Sequence, residues 1–313
     1  MKLGMLVNPF TETNLQLAAQ VGVTEIVLPY PGLNSRTLLE QRRQIENFGM
    51  RLAVIERKLP HLQIVHGLEG RDEQVENIRT LLRNMAEADM DVLCYNWMPD
   101  EDWQRTHVDL PERGGAKVTA FDIGKTRSGN LTDADGQPNT RTPASQLWDN
   151  LKRFLDDTLP TAQDCRIALA IHPDDPPLPC LHGQDRIITD NEALAKVVSL
   201  APSPSNGICY CQGALAPSGT DVESGIRELA PHIRFAHFRN ISGTAENFRE
   251  TFHDNGDLDM AALMRAYKES GFTGAMRPDH APSLATESNA TPGYETLGKL
   301  HAIGYMKGLW DAA

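Results

Sequence analysis

The stretch "RIALAIHPDDPP" (residues 166–177) is the part of the chain that settles its architecture. Its apolar residues are nearly continuous, the pattern of a parallel strand buried on both faces. The run ends on His172, and two acids enclosed by prolines follow. Proline fixes the backbone and removes a donor, so the chain stiffens itself just beyond a strand end.

Similar short runs recur outward in both directions. They are "KLGMLV" (2–7), "EIVLP" (25–29), "RLAVIE" (51–56), "DVLCYN" (91–96), "GICYC" (207–211), "IRFAHF" (233–238) and "GAMRP" (274–278). Helical patterns separate them. "SRTLLEQRRQIENFG" (35–49) is one, with Ser35 as its starting cap and Gly49 at its end. Eight strands alternating with helices predict an α/β fold, a (β/α)8 TIM barrel, as a single domain over 1–313. A doubly wound sheet is the alternative, but "MLVNPF" lacks the glycine-rich turn of a dinucleotide site. Segment 102–142, rich in Gly, Thr, Asp and Asn, breaks the rhythm and is expected as a loop excursion over the active-site mouth.

Composition narrows the function. A hydrophobic content of 40% is enough to bury a sizeable core, and a net charge of −12 argues against a nucleic-acid partner. No run approaches the length of a membrane helix, and "MKLGMLVNPF" is not a signal peptide. The odd set Cys94, Cys165, Cys180, Cys209 and Cys211 fits a reducing, cytoplasmic setting.

Barrel enzymes carry their chemistry at the C-terminal strand ends. Here the third run ends at Glu56, the fourth at Tyr95 and Asn96, the fifth at His172, the sixth at Cys211 and the seventh at His237. Arg277, Asp279 and His280 close the eighth. Four consecutive strands thus bring His, Cys, His and Asp to one rim, a donor set for a catalytic divalent transition metal. Strand alternation puts Cys209 and Cys211 on one side; Cys211 lies nearer the rim. Arg239 and Arg277 are candidates to grip a carboxylate. "TFHDNGDLDM" (251–260) is expected as a lid or as a turn capped at Asp257, and Tyr294 is a candidate for proton transfer.

Longer motifs carry a resemblance. "VLCYNWMPDEDWQRT" (92–106), "AIHPDDPPLP" (170–179) with "RIITD" (186–190), "NGICYCQG" (206–213), "IRFAHFRN" (233–240), "FHDNGDLDM" (252–260), "MRPDHA" (276–281) and "TPGYETLGKLHAIGYMKGL" (291–309) together resemble the mannonate dehydratase family, of the xylose isomerase-like barrel superfamily. The resemblance implies Mn2+, or another divalent ion such as Fe2+ or Co2+, held by His172, Cys211, His237 and Asp279. It implies loss of water from D-mannonate to give 2-keto-3-deoxygluconate. Tyr294, His280 and Arg277 match positions at the substrate. Arg239, Asn96, Asp174 and Glu56 are added as substrate contacts, with Asp174 or Asp175 orienting a neighbour or meeting a sugar hydroxyl. The chain departs from the family at "VLPYPGLNS" (27–35), which has no histidine, and in the polar segment 102–142. A small-molecule sugar acid is the expected partner, and a homo-oligomer the expected assembly. A sugar isomerase or epimerase on the same barrel, or a non-catalytic sugar-acid binder, are the alternatives.

Overall fold

The computed structural model describes residues 1–100, 103–126 and 141–313. All eight runs form strands. They are β1 (Lys2–Leu6), β2 (Glu25–Leu28), β3 (Arg51–Ile55), β4 (Val92–Tyr95), β5 (Ala168–Ile171), β6 (Asn206–Cys211), β7 (Ile233–Phe238) and β8 (Ala275–Pro278). They are parallel and close into a barrel, β1 meeting β8 with Lys2 opposite Ala275. The lumen is filled by Leu6, Val27, Ala53, Val54, Val92, Cys94, Ala170, Cys209, Phe235 and Ala275. The outward-facing strand residues pack on the helices in a much larger core.

The helices end where local chemistry stops them. Ser35 opens the helix Ser35–Glu46, but the cap is Asn34, whose Oδ1 accepts from the Arg36 N–H at 3.1 Å. Asn34 holds extended backbone, as a cap must, while Ser35 is already helical. Gly49 follows at φ +74°, a conformation favourable only to glycine. Asp259, not Asp257, caps the helix Met260–Glu269, accepting from the Ala262 N–H at 2.9 Å. Asp257 instead accepts from the Gly243 N–H.

Segment 102–142 is more than a loop. His107–Pro111 and Lys117–Asp122 are strands. Together with the hairpin Ile241–Thr244 and Asn247–Glu250 they form an antiparallel four-stranded sheet above the barrel. Phe121 stacks on Phe248 with centroids 5.9 Å apart, and Leu178 and Leu181 pack against them. The apolar content of "KVTAFD" therefore makes a small core of its own. Residues 101–102 and 127–140 of the expected excursion lie outside the described residues.

Candidate active site

Register brings the metal candidates together. Cys211 on β6 lies opposite His237 on β7, and His237 lies opposite Arg277 on β8. His172 follows β5 with its N–H on the Tyr95 carbonyl at 2.7 Å, and Asp279 follows β8 with its N–H on the Phe238 carbonyl at 3.2 Å. One ligand atom each from His172, Cys211, His237 and Asp279 fall within 4.8 Å of one another. His237 and Asp279 are almost fully buried, and Cys211 completely.

The neighbours of these four suit a bound cation. His172 Nδ1 contacts the Pro173 carbonyl at 2.6 Å, which turns Nε2 to the cluster. His237 Nε2 contacts Glu56 at 2.9 Å, while its Nδ1 is buried and has no hydrogen-bond partner among the described residues. An imidazole nitrogen facing a thiol and a carboxylate fits a metal ligand, and the carbonyl and carboxylate behind the rings are the usual orienting partners of one. Burial, with the Arg277 charge, lowers the His237 pKa, and burial with His237 beside it lowers His172 to about 3. Both rings are therefore neutral near pH 7, the ligating form. Burial raises the Cys211 thiol, with Arg239 pulling the other way; a divalent ion would deprotonate it. Burial alone would raise Asp279, but His280, Arg277 and His237 hold it well below the carboxylate range.

Beside this centre lies a second network. His280 Nε2 and the Tyr294 hydroxyl are 2.6 Å apart. His280 Nδ1 contacts Glu250, which also accepts from Thr119 Oγ1 at 2.6 Å and pairs with Arg105. Arg105 forms a two-pronged pair with Asp175, 2.9 Å on each prong, and Arg239 reaches Asp175 at 2.8 Å and Asp279 at 3.2 Å. His280 holds φ +39°, unusual outside glycine. Trp103 packs on His280 and Tyr294, and Arg57 lies 4.1 Å over the Tyr294 ring. Tyr294, Arg57 and Trp103 line a cavity at the barrel mouth together with Leu6, Asn8 and Lys58.

The expected substrate contacts divide. Asn96 lines a small cavity with Glu56, His172 and His237. Asp174 does not join the site: it turns into the loop, where its Oδ2 accepts from the Ile188 N–H at 2.9 Å. Asp175, the next residue, faces the arginines. Glu56 is not turned to an open space but fixed between Arg277 Nη2 (2.6 Å) and His237. Arg277 spends its guanidinium on Glu56, Asp279 and the Pro278 carbonyl. Among the described residues, Arg239 Nε and Nη2 have no partner. His253 is buried with Nε2 on the Phe238 carbonyl, and Asp254 pairs with Arg113 at the surface, so neither enters the site. Cys209 faces the lumen below Cys211. Sequence reading missed Arg105, Thr119 and Glu250. Its available signal was the strand-like "KVTAFD" and "NFRE", passed over as loop and turn.

The sequence model of D-mannonate dehydratase (UxuA) matches residues 12–142 and 139–313. The chain belongs to the D-mannonate dehydratase family. The mannonate dehydratase 2 of Halalkalibacterium halodurans is 34% identical over 299 residues, 88% of this chain and 86% of that protein. The mannonate dehydratase of Shouchella clausii is 34% identical over 305 residues, 88% and 84% of the two chains. The crystal structure of mannonate dehydratase from Streptococcus suis serotype 2 superposes with a TM-score of 0.92 at 31% identity, covering 100% of this chain and 94% of that one. A D-psicose 3-epimerase shares the barrel alone, at 12% identity and a TM-score of 0.65 over 99% of each chain. The chain is thus a member of a hydro-lyase family that acts on a small molecule, built on the xylose isomerase-like barrel. Among the described residues no helix is long and apolar enough to cross a membrane.

Proposed function

We propose that this member of the D-mannonate dehydratase family removes water from D-mannonate to give 2-keto-3-deoxygluconate, with a divalent ion of the Mn2+ type held by His172, Cys211, His237 and Asp279. The observation that carries the metal is the partnerless Nδ1 of buried His237 among the other three donors. The donor set mixes nitrogen, sulfur and oxygen, which suits Mn2+, Fe2+ or Co2+ and leaves positions for substrate. When bound, such an ion stabilises the negative charge that develops on the acid end of the substrate.

The reaction takes a proton from C2 and hydroxide from C3. Tyr294 and His280 form the proton-transfer pair, joined by a 2.6 Å contact at the mouth. Glu250 behind His280 fixes which nitrogen faces Tyr294. Arg239, with two nitrogens unspent, is the guanidinium that meets the substrate carboxylate. Asn96 lines the inner cavity, where a hydroxyl would lie. Arg277 and Glu56 hold Asp279 and His237 in place. This arrangement disfavours an epimerase, which needs two acids poised across one carbon. Glu56 is locked as a carboxylate between a guanidinium and an imidazole, its pKa about 2: burial would raise it, but Arg277 and His237 lower it. A cytoplasmic homo-oligomer completes the proposal, supported by the five unpaired cysteines for the compartment and by the general habit of such barrels for the assembly.

The test is an assay of purified protein with D-mannonate, scoring the 2-keto-3-deoxy acid with added Mn2+ and with EDTA. Product with Mn2+ and none with EDTA is expected. His172→Ala should keep its circular dichroism and lose its bound metal; full metal content in that variant would sink the ligand set.

A further inference from the structure

Two thiols in the barrel lumen have no part in the proposed reaction. Cys94 on β4 and Cys209 on β6 are 3% and 0% exposed. Both belong to the apolar cluster that fills the lumen. Ligand atoms of Cys94, Cys209 and His237 all lie within 4.8 Å of one another. Cys209 stands two residues before Cys211 on the same strand and the same side, about 7 Å deeper. Buried cysteines often serve only as small apolar residues. Here the pair is joined by an imidazole, and Cys94 and His237 line a cavity of about 50 Å3 with Asn96 and His172, directly under the mouth. A donor set and a cavity beside it are therefore both present.

We infer that Cys94, Cys209 and His237 form a second ion site in the lumen, beneath the four-ligand centre, selective for thiophilic d10 cations such as Cd2+, Zn2+ or Cu+. Two sulfurs and one nitrogen as ligands favour soft ions over Mn2+ and Mg2+. His237 presents Nδ1 to the upper centre, so Nε2 is the atom left for the lower ion. Taking it breaks the bond from Nε2 to Glu56 and sends the Nε2 proton to solvent, so that with both sites filled His237 bridges the two ions as an imidazolate. Both thiols give up their protons to solvent as the two metal–sulfur bonds form. Occupancy then disturbs the orientation of His237, which makes the lower site inhibitory.

The experiment is cadmium titration of the purified full-length protein, reading bound Cd2+ by elemental analysis and sulfur-to-cadmium charge-transfer absorbance in the ultraviolet. Wild type, Cys94→Ser, Cys209→Ser and Cys211→Ser are compared. The expected result is one more bound Cd2+ in wild type than in Cys94→Ser or Cys209→Ser, and retention of a cadmium–thiolate band in Cys211→Ser. Equal stoichiometry in wild type and both lumen variants, with the band lost only in Cys211→Ser, would overturn the inference. Cys94→Ala and Cys209→Ala give the same comparison should a serine variant fail to fold. None of these readings uses D-mannonate, so a failure of the dehydratase assignment would be seen separately.

Discussion

Glu250 shows how much one carboxylate can decide. It is 2% exposed and touches His280, Thr119 and Arg105. With His280 Nδ1 committed to Glu250, Nε2 faces the Tyr294 hydroxyl. Glu250→Ala removes that constraint and leaves Arg105 short of a partner. Proton transfer by a positioned side chain contributes roughly 10²–10⁴-fold, so we expect kcat to fall by about 10²-fold with a small change in KM. Glu250→Gln, which keeps one of the two carboxylate oxygens as an acceptor and puts an NH2 in place of the other, should recover part of kcat. A loss confined to KM would show that Glu250 shapes binding and not proton transfer. Asp174 and Asp175 make the complementary point. They are neighbours of the same type with opposite surroundings: Arg105 and Arg239 hold Asp175 below the carboxylate range despite its burial, while burial lifts Asp174 to about 6 against the pull of Arg186.

The connecting segments, more than the strands, give the site its walls. Gly213, just past β6, lies against Arg239: a Cβ there would come within 2.4 Å of Arg239 Nε and 2.8 Å of its Cβ. Overpacking of this kind costs typically about 1–3 kcal/mol. Gly213→Ala should therefore lower the melting temperature and raise KM for the sugar acid through a displaced guanidinium. An unchanged KM would separate Gly213 from substrate binding. Beyond β5, the loop carrying Asp175 is anchored by Arg186, whose buried side chain pairs at 2.7 Å with the equally buried side chain of Asp100 in the segment after β4. Removing one member of a buried pair typically costs about 3–5 kcal/mol. Arg186→Met should show that loss in urea unfolding; a change below 1 kcal/mol, on the order of a surface pair, would mean the anchor is unnecessary.

The molecule as a whole stores its charge in one buried network at the barrel mouth, and this sets how its stability follows pH. Glu250 is held at about 2: burial would raise it, but His280 and Arg105 lower it from 4.5. Glu56 is likewise near 2. A carboxylate with a depressed folded pKa stabilises the fold fully above its unfolded pKa and loses that contribution as pH falls through the folded value. His253 adds to this from higher pH, because burial lowers it from 6.5 to about 4, so the unfolded chain binds its proton first. Thermal stability should therefore decline in two stages on acidification, from about pH 6.5 and more steeply between pH 4.5 and 2. His253→Phe should shrink the first stage, with His172 and His237, also lowered by burial, supplying the rest. A melting temperature flat from pH 7 to about 4 would contradict this account.

The barrel was legible because its signal is local. Each strand is an apolar run long enough to cross the sheet, each helix carries a period, and the polar residue at each strand tip is where β/α architecture puts function. His172, Cys211, His237 and Asp279 could be picked out for that reason, since the order of strands around a parallel barrel follows the order of the chain. What the linear chain does not display is the direction of a side chain within an irregular segment. It could not separate Asp174 from Asp175. It did not show that Arg277 pairs with Glu56 and Asp279. It passed over Glu250, Thr119 and Arg105, which reach the site only because a hairpin after β7 pairs with a hairpin after β4. Pairing between segments more than a hundred residues apart has no local period to announce it. It is selected by burial of Phe121 and Phe248 and by the need to satisfy every charge enclosed there.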